Sequence, residues 1–164
     1  MSKYRIKAVT AWQVWSSSEL MTVEVEVKLR YNAFGRGIAP IPLTSICQDH
    51  DSDIGCVRSD VAEAINFACV EINSILKGVS SNYQEEVDRL LESLIHIKHD
   101  NSSLRSILMA TSIANLNAVS AVEQMPLWQY ISEVMHESSS SYLPLPETNI
   151  PLELVNLKEL SVYP

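Results

Sequence analysis

Met21-Thr22-Val23-Glu24-Val25-Glu26-Val27-Lys28-Leu29 decides how this chain is read. Val23, Val25, Val27 and Leu29 alternate with Glu24, Glu26 and Lys28, so the segment has one dry side and one wet side. A period of two belongs to a strand, whose successive side chains point to opposite faces. Residues 4–15, upstream, are rich in β-branched and aromatic types (Tyr4, Ile6, Val9, Thr10, Trp12, Val14, Trp15) and predict another strand, with Ser16-Ser17-Ser18 as the turn between the two. Downstream, Asn32-Ala33-Phe34-Gly35 predicts a turn into a third strand ending near Pro40. Short connections make these three an antiparallel meander, and its dry face must be covered.

The cover comes from helices. Residues 40–57 open with Pro40 and Pro42, continue through Gln48-Asp49-His50-Asp51-Ser52-Asp53, and read as a loop. Ser59 or Asp60 can cap a first helix with Val61, Ile65, Ala68, Ile72 and Ile75 on one face, ended by Gly78. Asn82 and Glu85 have the spacing of a capping box and open a second helix with Val87, Leu90, Leu91 and Leu94 inward. Ser102 or Ser103 starts a third, uncharged from Ser106 to Val122. Pro126 sits at the first turn of a short fourth helix carrying Leu127, Tyr130, Ile131 and Val134. The fold class is therefore α+β: a three-stranded antiparallel meander and a four-helix bundle over residues 1–136. Residues 137–164 form a serine-rich linker (Ser138 to Ser141) and a β tail with Val155, Leu157, Leu160 and Val162.

A chain of 164 residues suffices for one core, and chains of this size bury roughly 70% of their extended surface. A net charge of −8 and a pI near 4.9 argue against nucleic acid and anionic membrane surfaces, which need clustered Lys and Arg. Cys47, Cys56 and Cys69 are an odd count without Cys-x-x-Cys spacing, as in reduced cytoplasmic proteins. Lys3, Arg5 and Lys7 are followed by no apolar h-region, so no signal peptide is expected. The uncharged run 106–122 holds Thr111, Asn115 and Asn117 and reads as a buried central helix, not a membrane span.

The order of elements, together with several local motifs, resembles the N-terminal capping domain of enolase. Thr22 to Val27 is similar to that family's second strand, and Phe34-Gly35-Arg36 through Ala39-Pro40 resembles its third strand and the start of a mobile active-site loop. Met125-Pro126-Leu127-Trp128-Gln129-Tyr130-Ile131 resembles its Val-Pro-Leu-Tyr-x-Tyr-Ile helix. Leu143-Pro144-Leu145-Pro146 with Asn149-Ile150 resembles the start of the catalytic barrel, and Lys158-Glu159-Leu160 its Gln-Glu-Phe strand.

The resemblance implies a Mg²⁺-dependent phosphopyruvate hydratase, a lyase of glycolysis, together with a dimer. Such an enzyme removes a proton beside a carboxylate and expels hydroxide, using a Lys base and magnesium to hold the enediolate charge. It implies a metal role for Thr44, which falls where the family places a magnesium-binding serine, and a leaving-group role for Glu159. The family's other metal carboxylates and lysines come from the barrel, beyond the point where this chain stops. Other departures concern the loops. The family's Asp-Ser-Arg-Gly-Asn-Pro turn is here Ser16-Ser17-Ser18-Glu19-Leu20-Met21, without the arginine that serves the dimer contact. Its Ser-Gly-Ala-Ser-Thr-Gly loop aligns with Ile41-Pro42-Leu43-Thr44-Ser45-Ile46, which lacks both glycines and gains a stiff proline. A Gly-Gly-x-His-Ala hairpin expected after Ile150 is missing.

Other candidates weigh less. Asp49, Asp51 and Asp53 with Gly55 and Asp60 imitate a calcium loop, but Ile54 stands where its sharp turn requires glycine. His96 and His99 could share a helix face; without a third ligand nearby they read as a pair favouring the helix C-terminus. The serine runs lack the strained glycine turn of a nucleophile. Cys56, near a helix start, reads as a packed thiol. Trp12, Trp15 and Trp128 read as core or interface anchors. The expectation is a non-catalytic chain that binds or assembles, through a protein partner or through itself, with no cofactor when alone. The alternative is part of a magnesium-dependent hydratase whose barrel is supplied elsewhere.

Overall fold

The computed structural model describes residues 2–15, 21–40, 61–97 and 102–135. They form β1 (Ile6–Trp15), β2 (Met21–Leu29), β3 (Phe34–Pro40), α1 (residues 61–76), α2 (Gln84–Ile97), α3 (Ser102–Glu123) and α4 (Leu127–Val134). The sheet order is β1-β2-β3 with antiparallel neighbours, and the helices follow in sequence. The α+β arrangement is the expected one.

β2 is the centre of the core. Val23, Val25, Val27 and Leu29 are fully buried, while Glu24 and Glu26 stay on the opposite face. Burying a Val or Leu side chain stabilises by about 1.5–3 kcal/mol, so these four alone fix the register of the sheet. They meet Ile6 and Val9 of β1, Phe67, Ile72 and Leu76 of α1, Val87 and Leu91 of α2, and Ile107 of α3. α3, uncharged from Ser106 to Val122, is the buried central helix, lying across β2 and β3. No helix among the described residues is long and apolar enough to cross a membrane.

The β2–β3 turn lies two residues earlier than expected. Tyr31 and Asn32 both adopt positive φ (62°), Leu29 N–H donates to the Ala33 carbonyl at 2.7 Å, and Lys28 faces Phe34. Two successive left-handed residues give a turn whose twist matches that of the flanking strands. Gly35 is therefore not a turn glycine.

Gly35 and Gly37 lie within β3, directly under α3. A Cβ on Gly37 would stand 2.1 Å from the Ala110 carbonyl oxygen and 2.8 Å from the Ala114 nitrogen. One on Gly35 would stand 2.1 Å from the Ala118 nitrogen. Ala110, Ala114 and Ala118 recur every fourth residue and so form one stripe along α3. The helix backbone rests on the strand backbone, and only Gly-on-Ala chemistry permits that approach.

α1 departs from regular helix at Ala68–Ile72, a π-helical turn. Val61, Ala68 and Ile72 are buried, as their spacing predicts. Ala64, Phe67 and Leu76 are core, whereas Ile65 and Ile75, expected inward, are only half-buried. Past the π turn, Asn73 Oδ1 accepts Val9 N–H at 2.9 Å; within it, Cys69 Sγ lies 3.9 Å from the Ala11 carbonyl. Ile6 N–H donates to Val79 O at 3.0 Å, and Gly78 N–H to Ile6 O at 2.9 Å. The outer edge of β1 is thus closed. Gly78, at φ 89°, ends the helix as expected.

The expected capping box does not form at Asn82. Its Oδ1 accepts a bond from Ser80 Oγ at 2.8 Å, and α2 begins at Gln84. Gln84 turns inward instead. Asn115, fully buried on α3, donates to Gln84 Oε1 (2.8 Å) and to Ser81 O (2.9 Å), and accepts from Ser81 Oγ (2.6 Å). Gln84 Nε2 then reaches Ser112 Oγ and Asp88 Oδ1, both at 2.9 Å. Satisfied in this way, the buried polar chain locks α2 to α3 in one register.

Candidate functional site

The outer face of the sheet, opposite α3, is assembled in three rows by the strand register. Trp12, Glu24 and Ile38 form one row, Thr10, Glu26 and Arg36 the next, and Ala8, Lys28 and Phe34 the last. They reach this face because each lies one residue out of phase with the core positions of its own strand.

Arg36 organises the face. Its Nε lies 3.0 Å from Glu26 Oε2, and its Nη1 lies 4.0 Å from Glu24 Oε2. The guanidinium carbon stands 5.2 Å from the Trp12 ring centre and 5.3 Å from that of Phe34. Exposed ion pairs contribute about 0.2–1 kcal/mol and exposed cation–π contacts about 0.5–1 kcal/mol, so the array orients the guanidinium more than it stabilises the fold. Around it, Phe34 (48% exposed) and Ile38 (54%) leave apolar surface in water. A fixed donor amid exposed rings and aliphatics suits recognition of another surface.

β3 carries this face and runs directly into residues 41–46. The strand is held from both sides: Thr22 Oγ1 donates to the Ala39 carbonyl, and Asn117 Nδ2 donates to the Arg36 carbonyl at 2.8 Å. Thr22 is buried although it belongs to the wet phase of β2, because its hydroxyl is spent on that carbonyl.

A second cluster ties the N-terminal residues to the end of α3. Tyr4 Oη donates to Glu123 Oε1, and Lys3 Nζ lies 3.0 Å from the same oxygen. The Tyr4 hydroxyl, and then Lys3, hold the Glu123 carboxyl below its ordinary value; the hydrogen bond to Glu123 raises Lys3. Burial pushes the neighbouring Tyr130 phenol up. Open concavities lie at the start of α2, around Tyr83, Glu86 and Arg89, and between α2 and α3, around Leu91, Leu108 and Met109.

Thr44 and Glu159, the two residues given site roles by resemblance, lie outside the described residues. So do Asp49, Asp51, Asp53, Gly55, Asp60, Cys47, Cys56, His99, both serine runs and the whole of 137–164. His96 lies on α2. Of the tryptophans, Trp15 and Trp128 are exposed and Trp12 is half-buried against Arg36, so none is a core anchor. Arg36 and Phe34, the centre of the face, were not singled out by sequence reasoning. Their signal is the strict alternation of Phe34, Arg36 and Ile38 with Gly35, Gly37 and Ala39.

Among the described residues, the magnesium implied by resemblance finds no fitting donors. The described residues bring together no group of three His, Cys, Asp or Glu side chains. Glu24 and Glu26, the paired carboxylates of the outer face, are turned to Arg36, whose positive charge opposes a dication. Compared with known families, the chain matches the family described as Enolase, N-terminal domain, over residues 6–131, from the first residue of β1 into α4.

Proposed function

The chain belongs to the enolase N-terminal domain family, and we propose that, as an isolated polypeptide, it acts in binding or assembly and not in catalysis. The observation that carries this reading is the outer sheet face, where Phe34 and Ile38 are exposed around an Arg36 oriented by Trp12 and Phe34. The partner is a protein, or a second copy forming a dimer, and the three thiols suit a cytoplasmic setting. The chemistry of the family's hydratases requires a Lys base and magnesium at the carbon that loses its proton. Thr44 and Glu159 would offer one hydroxyl and one carboxylate, neither of them such a base.

The test is a spectrophotometric assay of phosphoenolpyruvate formation from 2-phosphoglycerate, with and without Mg²⁺. The expected result is no turnover above a blank. Turnover that persists through repurification overturns the reading. Light scattering over a concentration series separates self-assembly from a monomer awaiting a different protein.

A second reading rests on β3. Its end is anchored by Thr22 and leads into the segment resembling the active-site loop, which suits a chain that completes a hydratase barrel supplied elsewhere. Under that reading magnesium-dependent activity emerges only on mixing with a barrel-bearing polypeptide, and Thr44→Ala weakens it.

A further inference from the structure

We propose that α4 is a hinged flap, seated at neutral pH on the Lys3–Tyr4–Glu123 cluster and released in acid. The joint supplies the first argument. Met125 N–H donates to the Ser120 carbonyl at 3.1 Å, and Gln124 N–H lies 3.4 Å from the Ala121 carbonyl, with Gln124 at φ 55°. Two such bonds around a left-handed residue are the Schellman closure that ends a helix. α3 is therefore finished before α4 begins, and Gln124, Met125 and Pro126 alone join them. α4 starts from an extended Pro126 without a side-chain cap. Its direction rests on a few torsions and on what its side chains touch.

They touch little. Tyr130 is the one buried residue of α4. Leu127, Ile131 and Val134 are half-buried, while Trp128 and the adjoining Met135 are exposed. Among the described elements, α4 packs chiefly on the α3 that precedes it. Its far end, at Val134, faces the start of α2 across the open concavity lined by Tyr83, Glu86 and Arg89. A helix with one buried side chain and a solvent-filled gap beside it belongs to the low-stability end of a fold, where local opening precedes global unfolding.

The seat is electrostatic. Tyr130 lies within the field of Glu123, Tyr4 and Glu133. Glu123 accepts from Tyr4 Oη and pairs with Lys3 Nζ at 3.0 Å, and Lys3 Nζ stands 4.9 Å from the centre of the Tyr4 ring. Tyr4 is fixed from behind, since its carbonyl accepts Ser81 N–H at 2.9 Å. One carboxylate thus gathers two donors at the place where α4 buries its phenol. Among the described residues, the titratable groups facing this corner are Lys3 and Tyr4 from the N-terminal residues and Tyr130 and Glu133 from α4. α3 adds none besides Glu123, being uncharged from Ser106 to Val122. The Tyr4 hydroxyl and Lys3 hold the Glu123 carboxyl below its ordinary 4.5. The seat is therefore complete above that value and is lost as pH falls through the lowered one. None of these residues belongs to the outer sheet face, so the inference stands apart from its binding role.

The test is amide hydrogen exchange by NMR on the full chain from pH 7 to pH 3, expressed as protection factors so that the intrinsic pH dependence of exchange cancels. Tyr130 N–H, bonded to the Pro126 carbonyl at 3.2 Å, reports on the flap together with Ile131 and Val134. Ala114 and Ala118 in α3 report on global opening. At pH 7 the flap amides should be protected about 10-fold less than those of α3, or weaker still. Their protection should then fall by about 10-fold in acid, as for the loss of one charge-assisted hydrogen bond, while α3 remains the better protected. E123Q should show the low flap protection already at pH 7 and no further change, whereas E133Q keeps the parent's profile. Equal protection in α4 and α3 at every pH overturns the proposal, because α4 then opens only with the whole domain. So does flap protection that ignores pH, or a pH profile that survives E123Q or vanishes in E133Q.

Discussion

Gly37→Ala tests the packing argument most directly. In an unconstrained strand the change stabilises, since glycine has more chain entropy to lose on folding, by about 0.4–1 kcal/mol. Here the new Cβ stands 2.1 Å from the Ala110 carbonyl oxygen, where ordinary contact begins near 3.4 Å, an overlap of about 1.3 Å. The obstructing atoms are backbone, so no side-chain rotation relieves it, and Ala110→Gly brings no rescue. α3 has to withdraw from β3 by about 1 Å, which forfeits a quarter to a half of each dispersion contact along the seam. Overpacking costs about 1–3 kcal/mol and occasionally more; backbone against backbone belongs at the top, about 3 kcal/mol. With a urea slope of about 1.5–2 kcal/mol per molar, the unfolding midpoint falls by about 1.5–2 M. Urea titration followed by circular dichroism measures it. A loss under about 1 kcal/mol, or any gain, refutes the Gly-on-Ala seam.

Gly78→Ala tests a different use of glycine. The site has room, with Arg5 Nη1 4.0 Å away, but φ is +89°, so the cost is about 1–2 kcal/mol from the left-handed backbone alone, read in the same titration. Asn115→Ala strands Gln84 Oε1 and the Ser81 hydroxyl inside the α2–α3 contact, and each orphaned group costs about 1–3 kcal/mol; a loss below about 1 kcal/mol would show the polar chain to be dispensable. Tyr4→Phe removes the chief cause holding the Glu123 carboxyl down. A depressed carboxyl contributes stability fully above its ordinary value of 4.5 and loses it as pH falls through the lowered folded value. Melting curves should therefore separate the variant from the parent near pH 7 and converge in acid; a gap that stays constant from pH 7 down to pH 2 would refute the linkage.

Family membership was legible because it rests on local chemistry: the alternation in β2, the proline before α4, and the order of strands and helices. The β2–β3 turn was misplaced because glycine is the usual turn residue, and nothing adjacent in sequence tells Gly35 that it must admit a helix. The half-burial of Ile65 and Ile75 was hidden for a related reason: which of two adjacent residues, Ala64 or Ile65 and Ile75 or Leu76, faces fully inward depends on what packs opposite the helix. Arg36 escaped notice because its partners come from three strands.

Residues close in sequence determined the class of this protein, since hydrophobic period and turn chemistry are properties of short segments. They settled that β2 would be central and wet on one side, and that an uncharged helix would lie over its dry side. Which groups meet was decided only when distant segments came within contact. Asn73 closes one edge of the sheet, while α3 settles on Gly35 and Gly37 and Arg36 stretches between two rings. Those outcomes depend on distances of a few ångströms between residues 64 and 81 positions apart in sequence, and no local pattern encodes a distance of that kind.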